Sequence, residues 1–241
     1  MLFLPLLSFY LVSLSLLPRY ASAYGPSSSG PVLHGTQGSR SPLVNWYLHE
    51  LGVPYQMAPP RPSPHPFGQV PCLTDDEGDV VSFESGAILL YLADKYDPRC
   101  ATAEDRSRST PWVVWANSCL DGVCFKEDDR GRVIGTSLDA PNRYTSVLES
   151  VMSTRDWILD TDEPSVADVA IASYLCYVPL FNPGVDLSNL PNCARYMKRC
   201  AGREQFRDAF GEGHADLVIR ECEKYLEGKP PGLPNPFKMF Q

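Results

Sequence analysis

The chain has 241 residues, enough for one large domain or two small ones, and 44% of them are hydrophobic, an ordinary share for a globular protein. It carries 21 Lys and Arg against 29 Asp and Glu, a formal net charge of −8, which argues against a nucleic-acid surface and against electrostatic docking on anionic membranes. An anionic substrate would have to meet a local basic pocket, and Arg40 is the candidate for it.

Met1 to Leu17 is an apolar run interrupted by serine and proline, and Ala21-Ser22-Ala23 follows as a small-residue cleavage signature. The run is too short and proline-broken for a membrane span. Residues 1–23 therefore read as a signal peptide outside the fold, and 24–30, rich in Ser, Gly and Pro, as a flexible segment.

Pro31 to Leu33 is a short first strand. Ser41 and Pro42 read as the N-cap and first position of a helix, with Val44, Tyr47, Leu48 and Leu51 on one face and Gly52 and Pro54 as its stop. A second strand is expected at 53–56. Residues 57–66 hold five prolines, so an extended loop should follow. Strands at 70–74 and 79–83 are joined by the turn cluster 75–78. Ser85 then caps a helix running to about Tyr96, stopped by Asp97-Pro98, and the polar residues 97–110 read as a linker.

From Pro111 the pattern is helical: an apolar helix around 112–120, a loop or broken helix end over 125–143, a long helix over 142–159, and helices near 189–200 and 214–226. Ser165 with Asp168 forms a capping-box analogue, and the helix behind it is apolar nearly all round, so it belongs at the centre of its domain. The tail 227–241 is Pro-rich and expected to be extended. Eight cysteines occur without a C-x-x-C pair or zinc-like spacing, which favours reduced thiols and no metal.

Two motifs carry the chemistry. Proline at a strand start cannot donate to a ladder and holds Val70 extended. With a cis Val70-Pro71 bond, the Val70 N–H and C=O face outward for a peptide-like ligand. At Glu84-Ser85, a hydroxyl and helix N-terminal N–H groups form an anion site, beside a carboxylate that takes an ammonium. Together these suit a small zwitterionic peptide.

The run "HPFGQVPCLTDDEGDVVSFESGAILLYLADKY", preceded by "VLHGTQGSRSPLVNWYLHELGVPY" and followed by "PSVADVAIASYLCYVPLF", resembles the cytosolic-type glutathione transferases over roughly residues 31–215. Its Ser-Arg and Trp-Tyr-Leu-x-Glu-Leu-Gly spacing is nearest to bacterial and cyanobacterial members. The resemblance implies an α/β plus all-α chain: a thioredoxin-like glutathione-binding domain at 31–96, the 97–110 linker, and an all-helical domain at 111–226. It implies glutathione as cosubstrate and conjugation or reduction of a hydrophobic electrophile, with a non-catalytic binding protein or a glutathione-dependent isomerase or dehalogenase as rivals.

Residue by residue, the resemblance implies that Ser39, Arg40 or Ser41 acts on the sulfur, with Ser39 leading. A donor at a helix N-terminus favours thiolate over thiol. Gln69, Val70, Pro71, Glu84 and Ser85 would hold the peptide. Asp168 resembles a structural helix cap. Trp112 and Trp115, aromatic residues at helical spacing, read either as core or as the lining of an electrophile pocket between domains. The shortened 57–66 segment departs from the family's second helix, which helps hold the glycine end, so weak discrimination of glutathione from γ-glutamylcysteine is expected. A homodimer is implied. The Ala21-Ser22-Ala23-Tyr24 junction also resembles the bipartite presequence of complex plastids, so plastid delivery stands beside the ER lumen or secretion.

Overall fold

The computed structural model describes residues 30–226. The signal-peptide reading, all but Gly30 of the flexible segment, and the tail lie outside them. The first domain holds β1 (Val32–His34), α1 (Ser41–Leu51), β2 (Gln56–Ala58), β3 (Cys72–Asp75), β4 (Val80–Phe83) and α2 (Ser85–Tyr96). Its sheet order is β2-β1-β3-β4, with β1 and β2 parallel and the other pairs antiparallel. Leu33 faces Leu73 across the sheet, and both are buried with Leu43, Trp46, Leu48, Ile88, Leu89 and Leu92 from the two helices.

The second strand sits at 56–58 rather than 53–56. Gly52 closes α1 in the left-handed conformation, Val53 N–H still bonds Leu48 C=O, and Pro54 has no N–H, so pairing starts only where Gln56 N–H reaches Pro31 C=O. Residues 59–71 contain no helix, as the prolines dictate, and the Val70–Pro71 and Arg61–Pro62 peptides are cis.

The second domain follows with α3 (Ala103–Trp115), a π-helical turn at Ala116–Leu120, α4 (Asp121–Cys124), a hairpin of β5 (Lys126–Glu127) and β6 (Val133–Gly135), then α5 (Arg143–Met152), α6 (Val166–Phe181), α7 (Pro191–Ala201), α8 (Glu204–Phe210) and α9 (Glu212–Glu223). Three expectations are corrected here. Most of the 97–110 linker is helix, because Thr102 and Asp105 form a capping box and the polar residues are α3's solvent face. The expected loop at 125–143 carries the short hairpin, set within the helical domain. The helix expected over 142–159 ends at Met152, since Ser153 and Thr154 turn their N–H and hydroxyl groups back onto carbonyls of the last turn. Asn142 caps it through Thr145 N–H.

α6 is the axis of the domain, buried from Val166 to Pro179 and packed on α1, α2, α3, α7 and α9. Asp168 at its start accepts from Ser165 N–H (2.8 Å) and Oγ (2.7 Å) with one oxygen and from Ile158 N–H (2.7 Å) with the other, which is the structural cap expected of it. The helical domain grips α1 through Arg203, whose guanidinium pairs with both oxygens of Glu50 (2.7 and 2.8 Å). Glu50 also accepts from the buried Trp46 indole at 2.7 Å. All eight cysteines are free thiols, and only Cys119 is not buried.

Candidate functional site

A cavity of about 700 Å³ opens where the two domains meet. Three stretches of the first domain reach it: Arg40 ahead of α1, the loop from Pro60 to Pro71, and Glu84-Ser85 at the start of α2. Asn117 from the π-turn forms its far wall. Of the residues singled out in the sequence, Arg40, Gln69, Val70, Pro71, Glu84 and Ser85 come together here, while Ser39 and Ser41 do not line it.

Pro71 sets Val70 just outside β3, and no described backbone group bonds the Val70 N–H or C=O. Glu84 adopts φ +65° and ψ 122°, an unfavourable conformation for a residue with a side chain, of the sort that persists where function holds it. Ser85 begins α2 rather than capping it, so the N–H groups of the first turn lack intrahelical partners. Its hydroxyl donates to Asn117 Oδ1 at 3.2 Å.

The proline-rich loop adds two basic groups. Arg61 is exposed on the cavity rim with no ion pair among the described residues. His65 is 6% exposed, its ring against Phe83 (4.8 Å between centroids), and its Nδ1 accepts from Phe67 N–H at 3.0 Å. That bond puts the proton of a neutral ring on Nε2. Arg40, Arg61 and His65 thus face Glu84, a locally basic pocket in an acidic chain.

Arg40 is held from the helical domain. It pairs with Asp121 and lies over the Tyr174 ring, 5.1 Å from its centroid. Burial pushes the Asp121 carboxyl up, against the pull of Arg40 downward. Burial likewise lifts the Tyr174 hydroxyl to about 12, so it stays a neutral donor, and it donates to Asn117 Oδ1 at 2.9 Å.

The turn before α1 is tied within itself. Ser41 is buried; its Oγ accepts from Thr36 N–H and shares a 2.7 Å hydrogen bond with Ser39 Oγ. Ser41 is therefore the first helical residue, not the N-cap, a place that Arg40 takes without a side-chain bond. Ser39 borders a second, apolar cavity of about 210 Å³, walled by Phe125, Val133, Tyr177, Leu180 and Phe181. Arg40 borders both cavities. Trp112 and Trp115 line neither: with Tyr144 and Val147 they form a separate apolar cavity between α3 and α5.

The sequence reading assigned no site role to Asn117, Arg61 or His65. The signals were a lone asparagine in an apolar helical run and two basic residues among prolines.

Residues 43–95 match the glutathione S-transferase N-terminal domain and residues 123–204 the glutathione S-transferase C-terminal domain. Glutathione S-transferase GstB of Escherichia coli strain K12 is 29% identical over 156 residues, 59% of this chain and 74% of the relative. The glutathione S-transferase-like protein gedE of Aspergillus terreus is 25% identical over 204 residues, 70% of this chain and 89% of the relative.

Among solved structures, a glutathione transferase family member from Pseudomonas fluorescens with two glutathione bound aligns at TM-score 0.60 and 22% identity, covering 82% of this chain and 95% of that one. The glutathione transferase URE2P6 from Phanerochaete chrysosporium, in complex with oxidized glutathione, aligns at 0.62 and 23%, covering 79% and 98%. These likenesses bear on the fold. The two domain matches fall in family order and together span more than half of the chain, on the same two domains that enclose the cavity: the chain belongs to the glutathione S-transferase family.

Proposed function

We propose that the 700 Å³ cavity holds glutathione and that its thiolate, the proton lost to solvent, attacks an apolar electrophile seated in the 210 Å³ cavity, joining the whole tripeptide to it through sulfur as the electrophile's leaving group departs. The observation that carries this reading is Arg40, which borders both cavities, so a thiolate beside its guanidinium would face the electrophile. Charge complementarity supports the orientation. Glu84 suits the α-ammonium, the first turn of α2 the α-carboxylate, the unbonded Val70 backbone the cysteine peptide groups, and Arg61 with His65 the glycine carboxylate. Ser39 sits on the electrophile side, and its hydroxyl is engaged with Thr36 C=O and Ser41, so Arg40 replaces it as the leading group for thiolate stabilisation. The test is steady-state turnover of glutathione with an activated aryl halide, an organic hydroperoxide and a disulfide. Turnover with any of them that is lost in Arg40→Gln is expected; none with all three contradicts the catalytic reading and leaves the non-catalytic one.

A second copy of the chain is the proposed partner, supported by uncovered apolar surface at Phe67 (75% exposed), Val114 and Val147 beside the Trp112–Trp115 cavity. Light scattering giving twice the chain mass is the expected result. Delivery through the secretory route, to a plastid or beyond, is proposed from the 1–23 run and tested by the N-terminal sequence of the mature protein.

A further inference from the structure

We propose that the 210 Å³ cavity selects an electrophile that carries a permanent positive charge, an alkylammonium group on an apolar frame, and that Glu127 sets this preference. The inference deepens the function proposed above and rests on reading this cavity as the electrophile's seat.

Phe125, Tyr177 and Phe181 wall the cavity, and their rings are angled against one another rather than stacked. Phe125 and Phe181 stand at 75° with centroids 5.5 Å apart, Tyr177 and Phe181 at 56° and 6.4 Å. Tyr177 is fixed in place by donating to Ser39 C=O at 2.9 Å. Burial raises its hydroxyl above the usual range, so the ring stays neutral. A cation is drawn to such a group of rings by their quadrupoles, most strongly where water is kept away, and quaternary ammonium ligands are held in this manner.

The hairpin adds a charge. Glu127 on β5 pairs with Val133 on β6 because the register skips Ile134, and cross-strand partners project to the same side. Both line the cavity, whereas Ile134 is 67% exposed. The turn between the strands is braced by Asp128, which accepts from Arg130 N–H (2.9 Å), Arg132 N–H (3.0 Å) and Arg132 Nε (2.7 Å). Arg132 is thus engaged with Asp128, and Glu127 has no ion pair among the described residues.

The charges around the cavity favour a cation. Arg40 borders it but is paired with Asp121. His214 lies against the Tyr177 ring, and burial holds it below its ordinary pKa, so it is neutral at neutral pH. Lys126 lies along Gly135 on the hairpin and does not line the cavity. Glu127 remains as the uncompensated charge, on a chain whose net charge of −8 already draws cations. An electrophile bearing a carboxylate would meet Glu127 as a like charge.

The experiment compares kcat/KM of the full chain with glutathione and two benzyl chlorides of one shape. One carries a para trimethylammoniomethyl group, the other a para neopentyl group, which puts carbon in place of nitrogen. In both, the thiolate forms the new C–S bond and chloride departs; the ammonium takes no part in the bonds that change. Each rate is divided by the uncatalysed rate with glutathione, which removes the thiolate's own attraction for the cation. Wild type is expected to favour the cationic compound about tenfold. Glu127→Gln is expected to cut that ratio about threefold, the scale of an exposed ion pair. Phe181→Leu, which keeps an apolar wall but removes a ring, should cut it as well. Both residues are exposed, so neither variant opens the core. A wild-type ratio of one or less, or the same ratio in either variant, overturns this inference while turnover itself upholds the proposed function. No turnover of either compound or of the activated aryl halide counts against the proposed function, and calorimetric titration of benzyltrimethylammonium then decides the cation site. Saturable binding that is weakened in both variants upholds it, and no binding overturns it.

Discussion

Arg40 is set by both domains at once: its backbone ends the turn before α1, and its guanidinium is held by Asp121 and Tyr174 of the helical domain. Removing such a preorganised charge from beside a developing thiolate costs on the order of 10²-fold in rate. Arg40→Gln should therefore lower turnover about that much and raise the pH at which bound glutathione ionises, read from thiolate absorbance. Ser39→Ala should cost less than tenfold by the same scale, its hydroxyl being engaged within the turn. A larger loss for Ser39→Ala than for Arg40→Gln would return the leading role to the serine. Most of the first-domain residues in the cavity were legible, because Val70-Pro71 and Glu84-Ser85 have motifs with a backbone reason. Asn117 was not, because a π-turn has no composition signal and its partners, Ser85 and Tyr174, are 32 and 57 residues away.

Secondary-structure elements were legible in proportion to their length and caps. The α1 face of Val44, Tyr47, Leu48 and Leu51 and the Gly52 stop are as the spacing dictates, and so is the buried α6. The hairpin was not, because strands of two and three residues are too short to show alternation. Nor was the separation of α8 from its neighbours, which turns on Gly211 at φ +88°. The joint between α1 and α8 is a strong point of the fold. Glu50 has a 5% exposed side chain, so Arg203→Leu leaves a buried carboxylate without its partner. The variant should lose about 3 kcal/mol of stability in urea unfolding. A loss within about 0.5 kcal/mol, the scale of an ordinary surface change, would show that Glu50 relaxes to solvent.

Across the whole molecule, a buried carboxylate ties the two domains' junction to pH. Burial raises the Asp97 carboxyl, but Arg99 and the Tyr47 hydroxyl outweigh it and hold it below the usual range. A depressed folded pKa contributes stability that is fully present above the unfolded value, about 3.9, and is lost as pH falls through the folded one. Wild type should therefore lose stability below about pH 4 more steeply than Asp97→Asn. Parallel acid limbs for the two would exclude the Asp97–Arg99 pair as the cause.

The loop of five prolines was expected to give the glycine end of glutathione fewer contacts. Arg61 and His65 on the cavity wall support the opposite proposal, that the loop itself supplies them. Glutathione should bind about tenfold more tightly than γ-glutamylcysteine, the difference vanishing in Arg61→Gln with His65→Asn. Near-equal affinities in wild type would return the loop to a passive role.

The central claim is that the cavity at the start of α2 receives glutathione. Its most direct test is calorimetric titration of glutathione into the full chain and into Ser85→Ala. Saturable binding to wild type is predicted, weakened by about 1.5–3 kcal/mol in the variant, the scale of a hydrogen bond to a charged group. No binding to wild type, or the same affinity in both proteins, would contradict it.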